Sequence, residues 1–491
     1  MSVQSKGYLT KIKNLFSGSK EIKASTAYVI CSVLQKSMSV ITLPLFTRLL
    51  TTEEYGINTV YASTMGIIVI FTSLNLPYGS FAPAMMKFEN DRDGYISAVN
   101  TICIMLTAIY FAVYFLFRSF WNNLLDLPTE LMIMMGFEML LHTAVLFWMG
   151  KARYEYKYKP VVGITLVNTI LGTACSLLAV LFLPNKGVGR VLAHGIVVSL
   201  VGLVIMIGSI AKGRQCFKKE YWKYALSFNI PLIPYYLSQI VFNQSDRLMI
   251  NKMTGRSDAA MYGVAYTLAF ILTFVLNAIN NSYIPWMYRK IKENKIQENK
   301  KISVIIAVMM AVLLLGIIVM APEIILIMAG EKYMAAIWVV PPVAMSLLLL
   351  FYAQLFINVE FYFEEKYKLV GASILAAVVN IVLNYFGIKL FGFVAAGYTT
   401  LISYILFACC NYFVMKKVCS ANGLEGEIFD YRILVVLFIV FALIGFGFAA
   451  LYPYRIIRLA LVVVVFFIGL IKKNQIIKMV KRVLKTIKSR E

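Results

Sequence analysis

The chain has 491 residues, of which 60% are hydrophobic and 14% are charged. A soluble domain of average composition carries about 25% charged residues, so this composition excludes an ordinary soluble globule. The formal net charge is +23, but the Lys and Arg residues cluster in short gaps between long apolar blocks. This distribution is typical of membrane topology and argues against a nucleic-acid partner.

Apolar blocks recur along the chain, and a helix that crosses the hydrocarbon of a bilayer needs about 20 such residues. The blocks predict fourteen spans, at 24–47, 57–81, 96–117, 129–149, 160–183, 189–211, 226–251, 260–286, 302–321, 334–358, 369–388, 391–415, 432–452 and 454–471. The predicted fold class is therefore an all-α membrane protein with about 14 transmembrane helices.

A faint internal repeat predicts how these spans are grouped. Asn168 and Asn380 lie 212 positions apart in the fifth and eleventh spans, and Gly189 and Gly392 lie 203 apart. Parallel repeats of this kind are common in transporters. We expect a basic head, a six-helix bundle, a second six-helix bundle, an added transmembrane hairpin and a basic tail, at 1–23, 24–211, 226–415, 432–471 and 472–491.

The basic residues also predict orientation. If the N-terminus is cytoplasmic, 35 Lys and Arg residues lie on the cytoplasmic side and 10 on the outer side. Positive residues are retained on the cytoplasmic side of a membrane, so both termini are expected there. The predicted connections between spans are too short to fold as separate domains.

Motifs for catalysis or cofactor binding are missing from the sequence. The seven Cys residues show no metal-ligand spacing, and no nucleotide-binding glycine loop is present. We therefore predict no cofactor, no metal and no enzymatic activity.

Polar residues form faces on three predicted spans at intervals of three and four. The face of span 1 contains Ser32, Gln35, Lys36, Ser39 and Thr42. The faces of spans 7 and 8 contain Gln239, Asn243, Asp246, Arg247, Asn277 and Asn281. Ionisable groups inside a membrane favour a hydrated cavity, which makes these residues candidates for substrate binding. The alternative is that the amides hydrogen-bond neighbouring helices together.

Two ionisable residues on span 4 are one helical turn apart, Glu138 and His142. They are candidates for proton coupling. The alternative is a local hydrogen bond that makes a buried carboxylate tolerable. His194, near the outer end of span 6, has no partner that the sequence identifies.

Three sequence runs resemble the oligosaccharide flippase branch of the multidrug/oligosaccharidyl-lipid/polysaccharide exporter superfamily. They are LPLFTRLLTTEEYG at 43–56, SDRLMI at 245–250 with MYGVAY at 261–266, and NIVLN at 380–384 with Gly392, Ala395, Ala396 and Gly397. The resemblance implies two halves that alternate access around a cationic cavity. It also implies transport of an undecaprenyl-pyrophosphate-linked oligosaccharide across a bacterial plasma membrane.

That resemblance implies roles for three cations, Lys36, Arg48 and Arg247, as ligands of the pyrophosphate. Arg48 has an alternative role as an anchor at the outer interface. The expected partners are membrane lipid, the lipid-linked oligosaccharide, and the polymerase and glycosyltransferases of polysaccharide synthesis.

Two other function classes stay open at this point. A multidrug or cation antiporter of the same fold would have a cavity dominated by carboxylates. A polysaccharide polymerase or ligase would need a large external loop with catalytic residues, and the predicted connections are short.

Overall fold

The computed structural model describes residues 20–363, 368–424, 426–461 and 463. Within these ranges every regular element is a helix. The α-helices of the described part are α1 (Lys20–Leu49), α2 (Thr52–Ser73), α3 (Phe81–Lys87), α4 (Arg92–Leu116), α5 (Arg118–Leu125), α6 (Thr129–Tyr154), α7 (Tyr158–Phe182), α8 (Lys186–Gly213), α9 (Lys219–Asn229), α10 (Ile233–Met253), α11 (Arg256–Phe270), α12 (Thr273–Lys292), α13 (Ile296–Met328), α14 (Val340–Tyr362), α15 (Lys368–Phe391), α16 (Ala395–Ala421) and α17 (Tyr431–Ala450).

Twelve helical segments of the described chain are long and apolar enough to cross a membrane. They correspond to the second to thirteenth predicted spans, which confirms the all-α membrane fold. The first predicted span, 24–47, lies inside α1, where several side chains are not described. A further helix covers 455–461. Half of the last predicted span, all of 472–491 and all of 1–19 lie outside the described residues.

The second span begins earlier than its hydropathy predicts. Thr51 caps α2: its hydroxyl accepts a hydrogen bond from the Glu54 amide at 3.2 Å, and the Glu54 carboxylate accepts one from the Thr51 amide at 2.8 Å. This capping box satisfies two amides that a helix start leaves without partners. The helix ends at Ser73, where Leu74 adopts a left-handed φ of 47°.

The seventh span, predicted at 226–251, lies within the helical segment Lys219–Met253, which is long and apolar enough to cross a membrane. It is divided into α9 and α10 by a short 3₁₀ segment, Ile230–Leu232. Pro231 and Pro234 lie at this division, and each lacks the amide that an α-helical hydrogen bond requires.

The eighth span is likewise divided, into α11 and α12. The Thr273 hydroxyl donates to the Phe270 carbonyl at 2.6 Å and so satisfies an acceptor at the break. The predicted span 260–286 lies within the helical segment Arg256–Lys292, which is long and apolar enough to cross a membrane.

The contacts within the chain divide it into two compact units, Met1–Ala260 and Met261–Glu491. The division falls inside α11, and α10, which packs on α2, belongs to the first unit. The grouping of spans into bundles at 24–211 and 226–415 stays a prediction.

Inside the first unit, α8 packs against α4, α6 and α7, and α1 packs against α7. The approach of α8 to α6 is close, because a Cβ atom built on Gly202 would lie 2.5 Å from the Leu141 carbonyl oxygen. Glycine is required at this crossing. These five helices, α1, α4, α6, α7 and α8, hold most of the side chains considered below.

Inside the second unit, α16 packs against α14 and α15, while α13 packs against α14 and α17. Most of α14 is buried. Asn380, Asn384 and Thr400 are buried where α15 meets α16.

Candidate functional site: a basic cavity in the first unit

A cavity of about 560 Å³ lies within the first unit. Its walls come from α1, α2, α6, α7 and α8, with one residue from the turn after α2. The lining side chains are Tyr28, Cys31, Gln35, Met38, Thr42, Phe46, Asn58, Tyr78, His142, Val145, Leu146, Met149, Arg153, Val161, Thr165, Asn168, Thr169, Thr173, Ser176, Arg190, His194 and Val198.

Two arginines line this cavity. The Arg190 guanidinium lies 4.0 Å from the ring centroid of Phe46 and 4.9 Å from that of Tyr55. At the other end of the neighbouring helices, the Arg153 guanidinium lies 5.7 Å from the Tyr28 ring centroid. Aromatic faces hold the planar groups in place by cation–π attraction. Each guanidinium can offer a forked set of donors to an oxyanion.

Both histidines of the chain also line the cavity. His142 lies near the middle of α6, and His194 lies about one helical turn from Arg190 on α8. A Cβ atom on Gly172 would lie 2.7 Å from His194 Nδ1, so the absence of a side chain there makes room for the imidazole. His194 makes a hydrogen bond with the Gly172 backbone, and both histidine side chains are exposed to the cavity.

No carboxylate is among the described side chains that line the cavity. Two acidic residues near the C-terminal end of α6, Asp93 and Glu155, form ion pairs with lysines. Asp93 accepts from Lys151 at 2.5 Å and lies 3.1 Å from Lys212 Nζ. Glu155 lies 2.6 Å from Lys157 Nζ and 3.5 Å from Lys151 Nζ.

The state of Glu155 follows from these contacts. Burial raises the pKa of Glu155, but hydrogen bonds and attraction from Lys157 and Lys151 outweigh this and hold the pKa below its ordinary value. Glu155 is therefore ionised at neutral pH and balances lysine charge.

Of the two candidates for coupling, Glu138 and His142, only the histidine lines the cavity. Glu138 is buried, and its carboxylate accepts a hydrogen bond from the Tyr61 hydroxyl at 2.7 Å. No hydrogen bond joins Glu138 to His142 within the described part of the chain. The partner that makes the buried carboxylate tolerable lies on α2, which the sequence does not reveal.

The predicted face of span 7 lies on α10. Arg247 Nη1 donates to the Gln244 side-chain oxygen at 2.6 Å and to the Asn243 carbonyl at 3.1 Å. The Asn243 amide donates to the Gln239 carbonyl at 2.7 Å, and Asp246 is buried. These four predicted residues line no part of the basic cavity.

The remaining predicted residues are separated in the same way. Asn277 and Asn281 are exposed on α12 in the second unit, while Asn280 between them donates to the Gln354 side chain at 2.6 Å. Arg48 is exposed near the end of α1. Lys36 belongs to α1, but its side chain lies outside what the structure describes.

Sequence reasoning missed three groups of this cavity as site residues: Arg153, Arg190 and His194. The two arginines lie near span ends, so they were counted as topology signals. Gln35 and Thr42, from the predicted polar face of span 1, do line the cavity. A second polar face, on α7, could have indicated the cavity from the sequence. Its residues, Thr165, Asn168, Thr169 and Thr173, recur at helical spacing.

Comparison with known proteins places the chain in a family. The family model described as polysaccharide biosynthesis protein matches residues 22–291, which is more than half of the chain. The chain belongs to the polysaccharide biosynthesis protein family. This confirms the relationship that the three sequence runs indicate.

Among relatives of this polysaccharide biosynthesis protein is a protein of the Lsg locus of Haemophilus influenzae. It is 22% identical over 299 residues, which are 56% of this chain and 68% of the relative.

Solved structures with the same fold include one titled lipid II flippase MurJ in an inward closed conformation. It shares 13% identity and a TM-score of 0.65, over 88% of this chain and 99% of that one. A multidrug resistance MATE family transporter in an inward-facing conformation gives 13% identity and a TM-score of 0.56, over 82% and 100%. The chain therefore has the fold of flippases and exporters, and the named neighbours are not enzymes.

Proposed function

We propose that this protein moves an undecaprenyl-pyrophosphate-linked oligosaccharide from the cytoplasmic to the outer leaflet for polysaccharide biosynthesis. The observation that carries the proposal is the basic cavity, in which Arg153, Arg190, His142 and His194 occur with no carboxylate among the described lining residues. A pyrophosphate is anionic, and guanidinium groups bind its oxygens through paired, charge-assisted hydrogen bonds.

The depth of the cavity suits a charged headgroup that must pass the hydrocarbon. His142 and Arg153 lie on the same helix, about 16 Å apart along its axis at 1.5 Å per residue. This is about half of the roughly 30 Å hydrocarbon thickness. Fixed cations along that path offset the cost of leaving water, which is what makes an unassisted charged group unfavourable in a bilayer.

The basic lining also favours this substrate over an organic cation. A multidrug or cation antiporter of the same fold needs anionic groups to attract its substrate, and the described lining residues supply none. A polymerase or ligase is disfavoured because the described connections between spans are short.

Location and organisation form part of the same proposal. The excess of 35 over 10 basic residues supports a bacterial plasma membrane location with both termini in the cytoplasm. We keep the bundles 24–211 and 226–415 and the hairpin 432–471 as proposals. The same holds for the other predicted site residues, which are the substrate contacts Lys36, Arg48, Arg247, Asp246, Gln239, Asn243, Asn277 and Asn281 and the coupling pair Glu138 and His142. Polymerase and glycosyltransferases are the expected protein partners.

Reconstitution tests the proposal. Purified protein in liposomes should move undecaprenyl-pyrophosphate-linked oligosaccharide to the opposite leaflet without ATP, measured by access of a membrane-impermeant glycosidase to the glycan. Protein-free liposomes are the control. Growth of the glycan chain in the absence of other proteins would restore the polymerase alternative, and export of an organic cation without glycolipid movement would restore the antiporter.

A further inference from the structure

The wall of the cavity formed by α7 differs chemically from the walls formed by α6 and α8. Its lining side chains include Thr165, Asn168, Thr169 and Thr173, which recur at intervals of three and four and so share one helix face. We call this set the α7 polar face. None of these four side chains carries a charge, whereas the arginines and histidines of the cavity belong to α6 and α8.

Two hydroxyls of the α7 polar face donate hydrogen bonds to backbone carbonyls of their own helix. Thr165 Oγ1 donates to the Val161 carbonyl at 2.9 Å, and Thr169 Oγ1 donates to the Thr165 carbonyl at 2.8 Å. A hydroxyl oxygen keeps acceptor capacity after it donates. Thr165 and Thr169 therefore hold acceptors for a ligand that brings its own O–H or N–H donors.

The other two members of the α7 polar face make no side-chain hydrogen bond to any described residue. The Asn168 carbonyl oxygen is buried and lacks a partner. Thr173 is half-buried and lines the same cavity. Buried polar groups are normally hydrogen-bonded, so these two side chains have unused capacity that a polar ligand could satisfy.

An aromatic ring completes this neutral part of the lining. Tyr78 lines the cavity with 74% of its surface exposed. Hydroxyl acceptors, an amide and an exposed aromatic face suit a sugar, which offers many O–H groups and flat patches of C–H. They contribute no net charge with which to attract a phosphate.

We propose that the α7 polar face binds the sugar portion of the carried lipid and distinguishes glycosylated from unglycosylated carrier. The inference rests on the proposed function and deepens it, since it assigns pyrophosphate and sugar to different walls of one cavity. Hydrogen bonds to sugar hydroxyls provide the selectivity, because a carrier without sugar leaves the same polar atoms unsatisfied.

The test compares two probes that share the same anion. They are undecaprenyl pyrophosphate and the lipid-linked oligosaccharide extracted from cells that make this protein. The wild-type full-length chain should bind the glycosylated lipid about tenfold more tightly, the effect of one or two net hydrogen bonds. The variant T165V/N168L/T169V/T173V should lose this preference and bind the bare carrier as the wild type does.

Controls keep the outcomes distinct. Thr107→Val changes a buried threonine on α4 that does not line the cavity, and it should preserve the preference. If the fourfold variant fails to fold, the single variant Thr173→Val must still reduce the preference. Equal binding of both carriers by the wild type, or a preference unchanged in a folded variant, would overturn the inference. Failure of the wild type to bind either carrier would instead overturn the proposed function.

Discussion

Two helix pairs that the sequence predicts as equivalents use the same polar residues in different ways. In the second unit, Asn380 donates to Thr400 at 3.4 Å, and Asn384 donates to Asn380 at 3.1 Å and accepts from Thr399. In the first unit, the corresponding Asn168 lines a cavity and its carbonyl oxygen is unpartnered among the described residues.

The comparison shows that residue type and spacing do not separate a structural asparagine from a binding one. Both helices present amides and threonines at helical intervals. The asparagines of α15 form hydrogen bonds with each other and with α16, so few of their donors and acceptors remain for a ligand. The α7 polar face, in contrast, lines the cavity. The number of hydrogen-bond partners of each polar atom therefore distinguishes a structural asparagine from a binding one. Mutations can test this criterion.

The largest effect is expected at Arg190. Arg190→Ala removes a forked cation from the cavity, and loss of a charge-assisted contact should lower transport by about ten- to a hundredfold. Arg190→Lys should recover part of this, since a point charge replaces the fork. The measurement is glycolipid transport in liposomes, with thermal stability recorded in parallel. Arg118→Ala, an exposed arginine on α5, is the matched control and should transport normally.

Stability should then separate the two helix pairs. Asn384→Leu leaves the Asn380 carbonyl oxygen without its donor in a buried site, at an expected cost of about 1–3 kcal/mol. Asn168→Leu breaks no hydrogen bond to a described residue and should change the free energy of unfolding by less than about 0.5 kcal/mol. Denaturation of both variants in detergent measures the difference. Equal destabilisation would mean that Asn168 also holds helices together.

A pH profile should show a smaller effect. The two histidines of the cavity, His142 and His194, can gain positive charge as pH falls below neutrality. Binding of the lipid-linked oligosaccharide, whose pyrophosphate diester does not titrate in this range, should therefore strengthen about three- to tenfold from pH 8 to pH 5.5. Glu155 stays ionised in this range because its pKa is held below its ordinary value.

The histidine-free variant H142Q/H194Q is the control, since these are the two histidines of the chain. Its binding should not depend on pH in this range. The buried carboxylate of Glu138, which accepts a hydrogen bond from Tyr61, lies one helical turn from His142, and Arg153, Arg190, His194 and Tyr28 line the same cavity. A slope that persists in H142Q/H194Q and disappears in Glu138→Gln would assign the proton to Glu138 instead.

The smallest loss is expected at Arg247. This guanidinium already donates to Gln244 and to the Asn243 carbonyl, so it has less capacity for a substrate than a residue that faces a cavity. Arg247→Ala should lower transport about threefold. A loss as large as that of Arg190→Ala would move the principal anion contact to α10, as the sequence resemblance implies.

The sequence predicted the fold class and most of the spans because a bilayer imposes length and hydropathy directly. Local chemistry then altered the boundaries. With the capping box at Thr51, α2 begins at Thr52, before the predicted start of the second span at 57. Pro231 lies in the 3₁₀ segment that divides the seventh span into α9 and α10. The capping residues and the proline can both be identified in the sequence. A hydropathy average over about 20 residues does not detect them.

The candidate site was less predictable. Helical spacing correctly grouped Gln35 with Thr42 on one face, but it does not reveal which neighbouring helix that face meets. Arg153 and Arg190 resemble topology signals until the fold brings α6 and α8 beside α1. The partner of Glu138 is Tyr61, which is 77 positions away, and no local pattern indicates such a contact.

Protection of the two histidines tests the central claim, that the basic cavity of the first unit binds the substrate. Diethyl pyrocarbonate should modify His142 and His194 in the free protein, as detected by mass spectrometry, because both side chains are exposed to the cavity. Lipid-linked oligosaccharide should protect both, while Tyr454, exposed in the second unit, should react equally with and without the lipid. Histidine modification that is unchanged under conditions where the lipid demonstrably binds would contradict the account.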